Sequence, residues 1–207
     1  MMPRAHASPL MRLTAPPSSA CEIVARLPRI TRQATTEEHS ERVAWYALLV
    51  GERVGLPRRD CEILRVGALL HDIGKRAIPD AILLKPVPLT AAEFAVMKQH
   101  TILGEAMCVT APGVVRSIIR SHHERIDGSG YPDGLRGKSI PLLAQIIALV
   151  DSFDAMTSAR PYRGAQSHGQ AFQILRDDAT RGLFQRDLVD ALTSLAGVLD
   201  AEDRAVA

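Results

Sequence analysis

The stretch HHERIDGSGYPDG, residues 122–134, places two adjacent histidines directly before a loop that is rich in glycine. In the residues before it, apolar pairs recur at intervals of four, which predicts an amphipathic helix whose stripe the two histidines continue. Glycine lets the following backbone turn close to a neighbouring group without a Cβ clash. This combination predicts a metal site with a substrate loop beside it, whereas Gly-Tyr-Pro alone is more typical of a surface turn.

The composition is that of one globular domain of moderate size with an extension. The chain has 207 residues, of which 46% are hydrophobic and 23% are charged, and its net charge is +2. This charge is too small to indicate a nucleic-acid polymer or a membrane as a partner, and no apolar run approaches the roughly 18 residues of a membrane span. Cysteines without a Cys-x-x-Cys spacing favour a reducing compartment. We therefore predict a cytoplasmic protein.

The spacing of apolar residues predicts an all-α fold. From residue 35 onward they recur at intervals of three and four, and no segment shows the alternation of a strand. The third predicted helix lies within PVPLTAAEFAVMKQHTILGEAM, with Thr90 and Glu93 as a capping box. We predict an N-terminal extension over 1–34, mobile or with a short helix, a helical domain over 35–200 and a C-terminal tail over 201–207.

Side chains that can bind a metal recur on the apolar faces of the predicted helices. A lone histidine in such a position is most often a hydrogen-bonded core residue. Several of them would need separate sets of partners when buried, whereas one or two cations would satisfy them together. The residues concerned are His39, His71, Asp72, His122, His123 and Asp151, while the face of His100 is less clear.

The mixture of imidazoles and carboxylates favours iron, manganese or zinc over calcium or magnesium, which prefer oxygen ligands. Asp72 offers two oxygens and is suited to bridge two metal ions while the adjacent His71 holds one. Two such ions, roughly 3.5–4 Å apart, grip a phosphoryl group from both sides. Lys75 follows Asp72 by about one turn and is placed to supply a positive charge or a proton, although this spacing fits a solvated lysine equally well.

These motifs resemble those of the HD-GYP family within the HD phosphohydrolase superfamily. The resemblance covers roughly residues 35–195, where HDIGK at 71–75, HHERIDGSGYPDGL at 122–135 and DSFDAMTSARPYR at 151–163 follow one another in the family order. It implies an HD-type helical bundle with a metal centre buried among the helices. It also implies a bacterial signalling enzyme that hydrolyses the second messenger cyclic di-GMP to pGpG and, in some members, to GMP.

The resemblance also assigns roles to individual residues. Asp72 would bridge two divalent ions, iron or manganese, and Lys75 matches a lysine that assists the leaving group, so that both belong to the catalytic residues. The residues that match family metal ligands are His39, His71, Asp72, His100, His122, His123 and Asp151. The residues that match substrate-binding positions are Gly130, Tyr131, Pro132, Arg160 and Arg163.

The chain departs from the family pattern at three places. Thr35 stands where some members have a glutamate that helps to hold a third metal, and we therefore predict two ions. Gln145 replaces a usual arginine, and Phe184-Gln185-Arg186 replaces a usual Phe-Asp-Pro. The last two changes are either local structural substitutions or changes that weaken activity.

Several functions stay open on the sequence alone. The complete ligand set and Lys75 favour a cyclic di-GMP phosphodiesterase. The changes at Gln145 and Gln185 leave room for a weakly active or inactive module that binds a cyclic dinucleotide or a protein partner, such as a diguanylate cyclase or an adaptor. An HD enzyme for another cyclic dinucleotide is a third hypothesis. A purely structural protein with buried histidines is the least favoured.

Overall fold

The structure is a computed structural model that describes residues 34–158 and 164–206. All regular elements in these residues are helical, which confirms the predicted all-α fold. In chain order they are α1 (Ala34–Arg53), α2 (Arg58–Leu70), α3 (Asp80–Leu83), α4 (Ala91–Lys98), α5 (His100–Met107), α6 (Gly113–Ser121), α7 (Leu142–Thr157), α8 (His168–Thr180), α9 (Arg186–Thr193) and α10 (Ala196–Val206). Short 3-10 helices occur at Ile73–Ala77 and Gly137–Ser139. Arg160, Arg163 and residues 1–33 lie outside the described residues.

Helix α7 lies at the centre of the hydrophobic core. Its sequence LLAQIIALVDSFDAMT is apolar around most of its circumference, as expected for a helix that is covered on several sides. Helices α1, α2, α6 and α8 pack against it. Ile146, Ile147 and Leu149 are fully buried, and burial of each such side chain contributes about 1.5–3 kcal/mol. This packing fixes the polar residues of α7, Asp151 and Asp154, relative to the surrounding helices.

The segment that follows α2 lies directly against α5. A Cβ atom added to Gly74 would lie 1.9 Å from the carbonyl oxygen of His100 and 2.5 Å from the amide nitrogen of Gly104. Only glycine permits two backbones to approach so closely. A Cβ on Gly104 would in turn lie 2.8 Å from Cγ2 of Ile119 on α6. The end of α2, the start of α5 and the body of α6 are therefore brought together.

The segment of the third predicted helix forms two helices, α4 and α5, which meet at Gln99. The predicted capping box is present at the start of α4, where the Thr90 hydroxyl accepts a hydrogen bond from the Glu93 amide and the Glu93 side chain accepts one from the Thr90 amide. The break at Gln99 makes His100 the first residue of α5.

Helix α10 runs to Val206, so residues 201–206, predicted as part of a C-terminal tail, continue a helix. The boundaries of the helical domain stay a prediction. Among the residues that the structure describes, none of the helices combines the length and the apolar character that are needed to cross a bilayer.

Candidate metal centre

The structure brings all seven side chains predicted as metal ligands to one place beside the core. They come from five different parts of the chain, so the tertiary packing of the bundle assembles them. They are His39 on α1, His71 and Asp72 directly after α2, His100 at the start of α5, His122 and His123 directly after α6, and Asp151 on α7.

The carboxylate of Asp72 faces imidazoles on both of its sides. Its Oδ1 atom lies 3.4 Å from Nε2 of His100 and 3.9 Å from Nε2 of His122. Its Oδ2 atom lies 3.4 Å from Nε2 of His71 and 3.9 Å from Nε2 of His39. Two groups of candidate ligands therefore share Asp72, and within each group the ligand atoms lie within 4.8 Å of one another. The groups are His39, His71 and Asp72, and Asp72, His100, His122 and His123.

Hydrogen bonds to the backbone orient three of the histidines. Nδ1 of His71 donates to the carbonyl oxygen of the residue three positions earlier, at 2.6 Å. His100 and His122 make the same contact at 2.8 Å each. A proton on Nδ1 fixes the tautomer in which Nε2 carries a free lone pair. The three lone pairs therefore point toward Asp72, which is the orientation that metal-binding histidines have.

A carboxylate that was not predicted as a site residue, that of Asp154, orients His39. Nδ1 of His39 lies 2.7 Å from Oδ2 of Asp154, and Arg42 donates to both oxygens of Asp154, at 2.6 and 3.1 Å. The Nε2 atom of His39 lies 3.3 Å from Oδ1 of Asp151. Burial opposes protonation of His39, but the hydrogen bonds with Asp151 and Asp154 outweigh burial and raise its pKa to about 9.

Two buried polar atoms in this cluster lack a hydrogen-bond partner within the described part of the chain. They are Nε2 of His71 and Oδ1 of Asp72. A buried acceptor left without a partner costs about 1–3 kcal/mol, and native structures rarely keep such atoms without a functional reason. A divalent cation bound to these atoms would remove that cost. The donor set of imidazole nitrogens and carboxylate oxygens therefore fits a metal site.

The charge states of Asp72, His122 and His123 suit the binding of cations. Burial opposes ionisation of Asp72, but Lys75 and His71 outweigh it and hold the pKa of Asp72 well below its ordinary value. Burial lowers the pKa of His123 to about 3 and lowers the pKa of His122 well below its ordinary value. The carboxylate is thus charged and these two imidazoles are neutral at pH 7, the forms in which both side chains bind metals.

Lys75 contacts the same carboxylate. Its Nζ atom donates to Oδ2 of Asp72 at 2.5 Å, and the lysine side chain is 30% exposed whereas that of Asp72 is 4% exposed. The ammonium group therefore lies between the buried cluster and the protein surface.

The predicted substrate loop folds back over the histidines. The amide of Tyr131 donates to the carbonyl oxygen of His123 at 3.2 Å, and the Tyr131 ring stacks on the His123 imidazole with 4.8 Å between the ring centroids. A Cβ on Gly130 would lie 2.4 Å from the amide nitrogen of Arg125, so this position requires glycine. Pro132 follows in the same loop.

Glu124 anchors this loop and was not predicted as a site residue. It is buried, and its two carboxylate oxygens accept hydrogen bonds from three consecutive backbone amides, those of residues 133, 134 and 135, at 2.7, 3.1 and 3.0 Å. The signal in the sequence is an acidic residue directly after His123, where the predicted apolar stripe ends and the predicted loop begins. Asp154 has a similar signal, since it lies three residues after Asp151 on an apolar helix.

Two of the three departures from the family pattern lie at one place. Gln145 and Gln185 both line a small cavity that Glu124 also lines. Nε2 of Gln145 donates to the carbonyl oxygen of Ile140 at 2.9 Å, so the glutamine has a structural hydrogen bond of its own. The side chain of Thr35 is not among those described.

The fold and the site define an all-helical protein with a candidate metal centre that holds two groups of ligands. The model of the HD domain family matches residues 21–188. The chain belongs to this family, which confirms the resemblance seen in the sequence.

Two curated relatives differ in the substrate that their names give. The chain is 45% identical over 178 residues to the cyclic di-GMP phosphodiesterase response regulator RpfG of Xanthomonas campestris pv. campestris, a match that covers 83% of this chain and 47% of the relative. It is 36% identical over 159 residues to the 3'3'-cGAMP-specific phosphodiesterase 1 of Vibrio cholerae, covering 76% of this chain and 37% of the relative. The chain thus spans about half, or less, of the length of these relatives.

A solved structure supports the fold. The HDG"Y"P protein Bd1817 of Bdellovibrio bacteriovorus matches with a TM-score of 0.65 and 21% identity, over 88% of this chain and 57% of that one. At this identity the likeness shows the HD-type helical architecture alone.

Proposed function

We propose that this protein is a metal-dependent phosphodiesterase that hydrolyses cyclic di-GMP to pGpG, with GMP as a possible end product. The observation that carries the proposal is the position of Asp72, whose two buried oxygens face two separate groups of imidazoles. The similarity to a relative named as a cyclic di-GMP phosphodiesterase supports the choice of substrate.

Asp72 is the residue that would be shared by two divalent ions, of which iron and manganese suit the mixed nitrogen and oxygen donors. His39, His71 and Asp151 would complete one side. His100, His122 and His123 would complete the other. When bound, the ions supply positive charge for the phosphate oxygens and lower the pKa of an attacking water.

The protein residues around the ions have separate tasks. Lys75, which contacts Asp72 and is partly exposed, would protonate the departing 3′ oxygen of the cleaved ester. Tyr131, held over His123 together with Gly130 and Pro132, forms one wall of the substrate site. Arg160 and Arg163 follow from the family resemblance as residues that hold phosphate or guanine.

The decisive experiment is product analysis on protein that is loaded without oxygen with Fe(II) or Mn(II). We expect cyclic di-GMP to be converted to pGpG or GMP, and we expect Asp72→Ala to abolish conversion. The matched control is Asp190→Asn, a change at an exposed carboxylate on α9, which should convert at the wild-type rate. Absence of conversion by wild-type protein of confirmed metal content would refute the proposed activity.

A weakly active module that binds a cyclic dinucleotide or a protein partner is the second candidate function. The observation in its favour is the cavity beside Glu124, which Gln145 and Gln185 line, since this cavity adjoins the residue that anchors the substrate loop. In that case the partners would be a diguanylate cyclase or an adaptor protein. We place either activity in the cytoplasm, where cyclic di-GMP acts as a messenger.

A further inference from the structure

Phe94 is an exposed aromatic residue that the site described so far does not use. It is 46% exposed, although the start of its helix is held firmly. Lys85 donates to the carboxylate of Glu93 at 2.6 Å, and the same carboxylate forms the capping box of α4 with Thr90. Because much of the Phe94 ring is exposed, the ring contributes little to the hydrophobic core. It is suited instead to stack on a flat ligand.

A continuous row of rings connects Phe94 with the metal centre. The Phe94 ring lies 6.3 Å from the Tyr131 ring, at an interplanar angle of 83°. The Tyr131 ring stacks on His123 at 4.8 Å, and His123 belongs to the candidate ligands. If a metal ion bound the phosphate of a ligand, the group next to that phosphate would therefore contact these aromatic side chains.

Lys98 adds a positive charge to the same place. It lies one turn after Phe94 on α4, and its Nζ atom is 5.3 Å from the centroid of the Phe94 ring and 5.7 Å from that of the Tyr131 ring. Distances below 6 Å are typical of an attraction between a cation and an aromatic ring. The ammonium group thus lies over both rings, and its N–H groups can donate to a ligand bound beside them.

We propose that Phe94, Lys98 and Tyr131 form a platform that binds a guanine base of the substrate. This inference rests on the proposed function and names the part of the site that selects the base. Purine bases stack on aromatic side chains irrespective of their identity. The O6 and N7 atoms of guanine both accept hydrogen bonds, which Lys98 can donate, whereas adenine presents an amino donor in place of O6.

The stacking part of the proposal is tested with Phe94→Ala. Affinity for GMP, which contains no diester to hydrolyse, is measured by calorimetry on metal-loaded protein. We expect the Kd for GMP to rise about tenfold, because loss of a stacking side chain costs about 1–3 kcal/mol and 1.4 kcal/mol corresponds to a factor of ten. Metal content measured by elemental analysis should equal that of the wild type.

Val96→Ala is the matched control for this variant. Val96 is 38% exposed on the same helix, two residues from Phe94 and therefore on the opposite face. We expect it to bind GMP as the wild type does. A wild-type Kd for GMP in Phe94→Ala, or an equal weakening in both variants, would overturn the platform.

The base preference is tested with Lys98→Met, which removes the charge but keeps an unbranched side chain. We expect wild-type protein to bind GMP more tightly than AMP, and we expect the variant to reduce this ratio about tenfold. Equal weakening of GMP and AMP would show that Lys98 contacts phosphate, and it would overturn the assignment to guanine.

Hydrolysis of cyclic di-GMP by the same proteins separates the two proposals. If wild-type protein binds GMP through Phe94 and Lys98 but does not hydrolyse cyclic di-GMP, the proposed function fails and the platform stands. If it hydrolyses cyclic di-GMP while neither variant changes GMP binding, the function stands and the platform fails.

Discussion

Asp72 and Lys75 form a close ion pair within the candidate metal centre. The carboxylate is buried and yet ionised, because Lys75 and His71 outweigh the cost of burial and hold its pKa well below the ordinary value. The lysine is partly exposed and contacts this carboxylate at 2.5 Å. The pair therefore connects the candidate metal centre with the protein surface, and each member can be tested by itself.

Replacement of Lys75 tests its role as a proton donor. We expect Lys75→Ala to lower kcat for cyclic di-GMP by about 100-fold or more, since general acid catalysis contributes about 10²–10⁴-fold, while the metal content stays unchanged. Lys75→Arg should be equally slow, because a guanidinium group keeps its charge but does not release its proton. The exposed Lys138→Ala is the control. Near-wild-type turnover in Lys75→Arg would assign Lys75 an electrostatic task instead.

Sequence reasoning found the residues of the cluster but not the residues that hold them. His39, Asp72 and Asp151 stand out because a metal-binding side chain on an apolar stripe is unusual. The carboxylate of Asp154 was missed because its partners, His39 and Arg42, are 115 and 112 positions away in the sequence. Such a contact depends on how α1 and α7 pack, which no local pattern specifies.

At the scale of single elements, the loop after α6 is positioned by two kinds of contact. The side chain of Glu124 accepts hydrogen bonds from three consecutive backbone amides. Arg120 donates to both oxygens of Asp133, at 2.7 and 2.8 Å. Stacking of Tyr131 on His123 then fixes the loop relative to the metal centre. The position of the loop thus follows from its anchors, although the glycines are its most visible feature in the sequence.

We expect Glu124→Gln to loosen this loop. The amide group has one oxygen where the carboxylate has two, and its NH2 group would face backbone donors, so the cost is about 1–3 kcal/mol. For a chain of this size Tm should fall by roughly 5 °C, and the amides of residues 133–135 should exchange hydrogen faster. Glu52→Gln, at an exposed position on α1, should change neither quantity. Unchanged exchange in Glu124→Gln would show that the loop has other anchors.

The helices themselves were predictable to different degrees. The capping box at Thr90 and Glu93 was predicted and is present, because it depends on residues three positions apart. The division between α4 and α5 at Gln99 was not predicted. Beside this division, Gly74 packs closely against the backbone of His100, a contact between segments that are distant in the sequence. Local hydrogen bonds can be inferred from a sequence more readily than backbone contacts between helices.

At the scale of the whole molecule, the bundle brings its candidate metal ligands together beside an apolar core. The ligands come from α1, from the ends of α2 and α6, from α5 and from α7, so no isolated helix can form the site. The two candidate ligand groups share Asp72, which makes their occupancies depend on one another. Metal content is therefore a property of the folded bundle.

We expect two metal ions per chain when the protein is purified with iron or manganese under anaerobic conditions. The reason is the sharing of Asp72 by two groups of ligands, together with a threonine at position 35 where a carboxylate would help to hold a third ion. Elemental analysis against protein concentration measures this number. Asp72→Ala should lose both ions, whereas Asp190→Asn should keep them. Three ions per chain would contradict the prediction.

Removal of the ions should destabilise the entire bundle. A ligand that binds only the folded state stabilises it by about 4 kcal/mol when its concentration is 1,000 times its Kd, which for this chain length corresponds to a Tm about 10 °C higher. The buried atoms Nε2 of His71 and Oδ1 of Asp72 have no hydrogen-bond partner among the described residues. Chelation would therefore leave the free-energy cost of burying them uncompensated. Thermal unfolding should therefore shift down on chelation and recover when manganese is added back.

The Asp72→Ala variant makes this last experiment specific. Without Asp72 the two ligand groups lose their common member, so the Tm of the variant should respond neither to a chelator nor to added manganese. Its own Tm need not be low, because alanine also removes a buried carboxylate that is costly without a cation. If chelation lowered the Tm of the wild type and of Asp72→Ala equally, the stabilising ions would be bound elsewhere, and the assignment of the centre to Asp72 would be wrong.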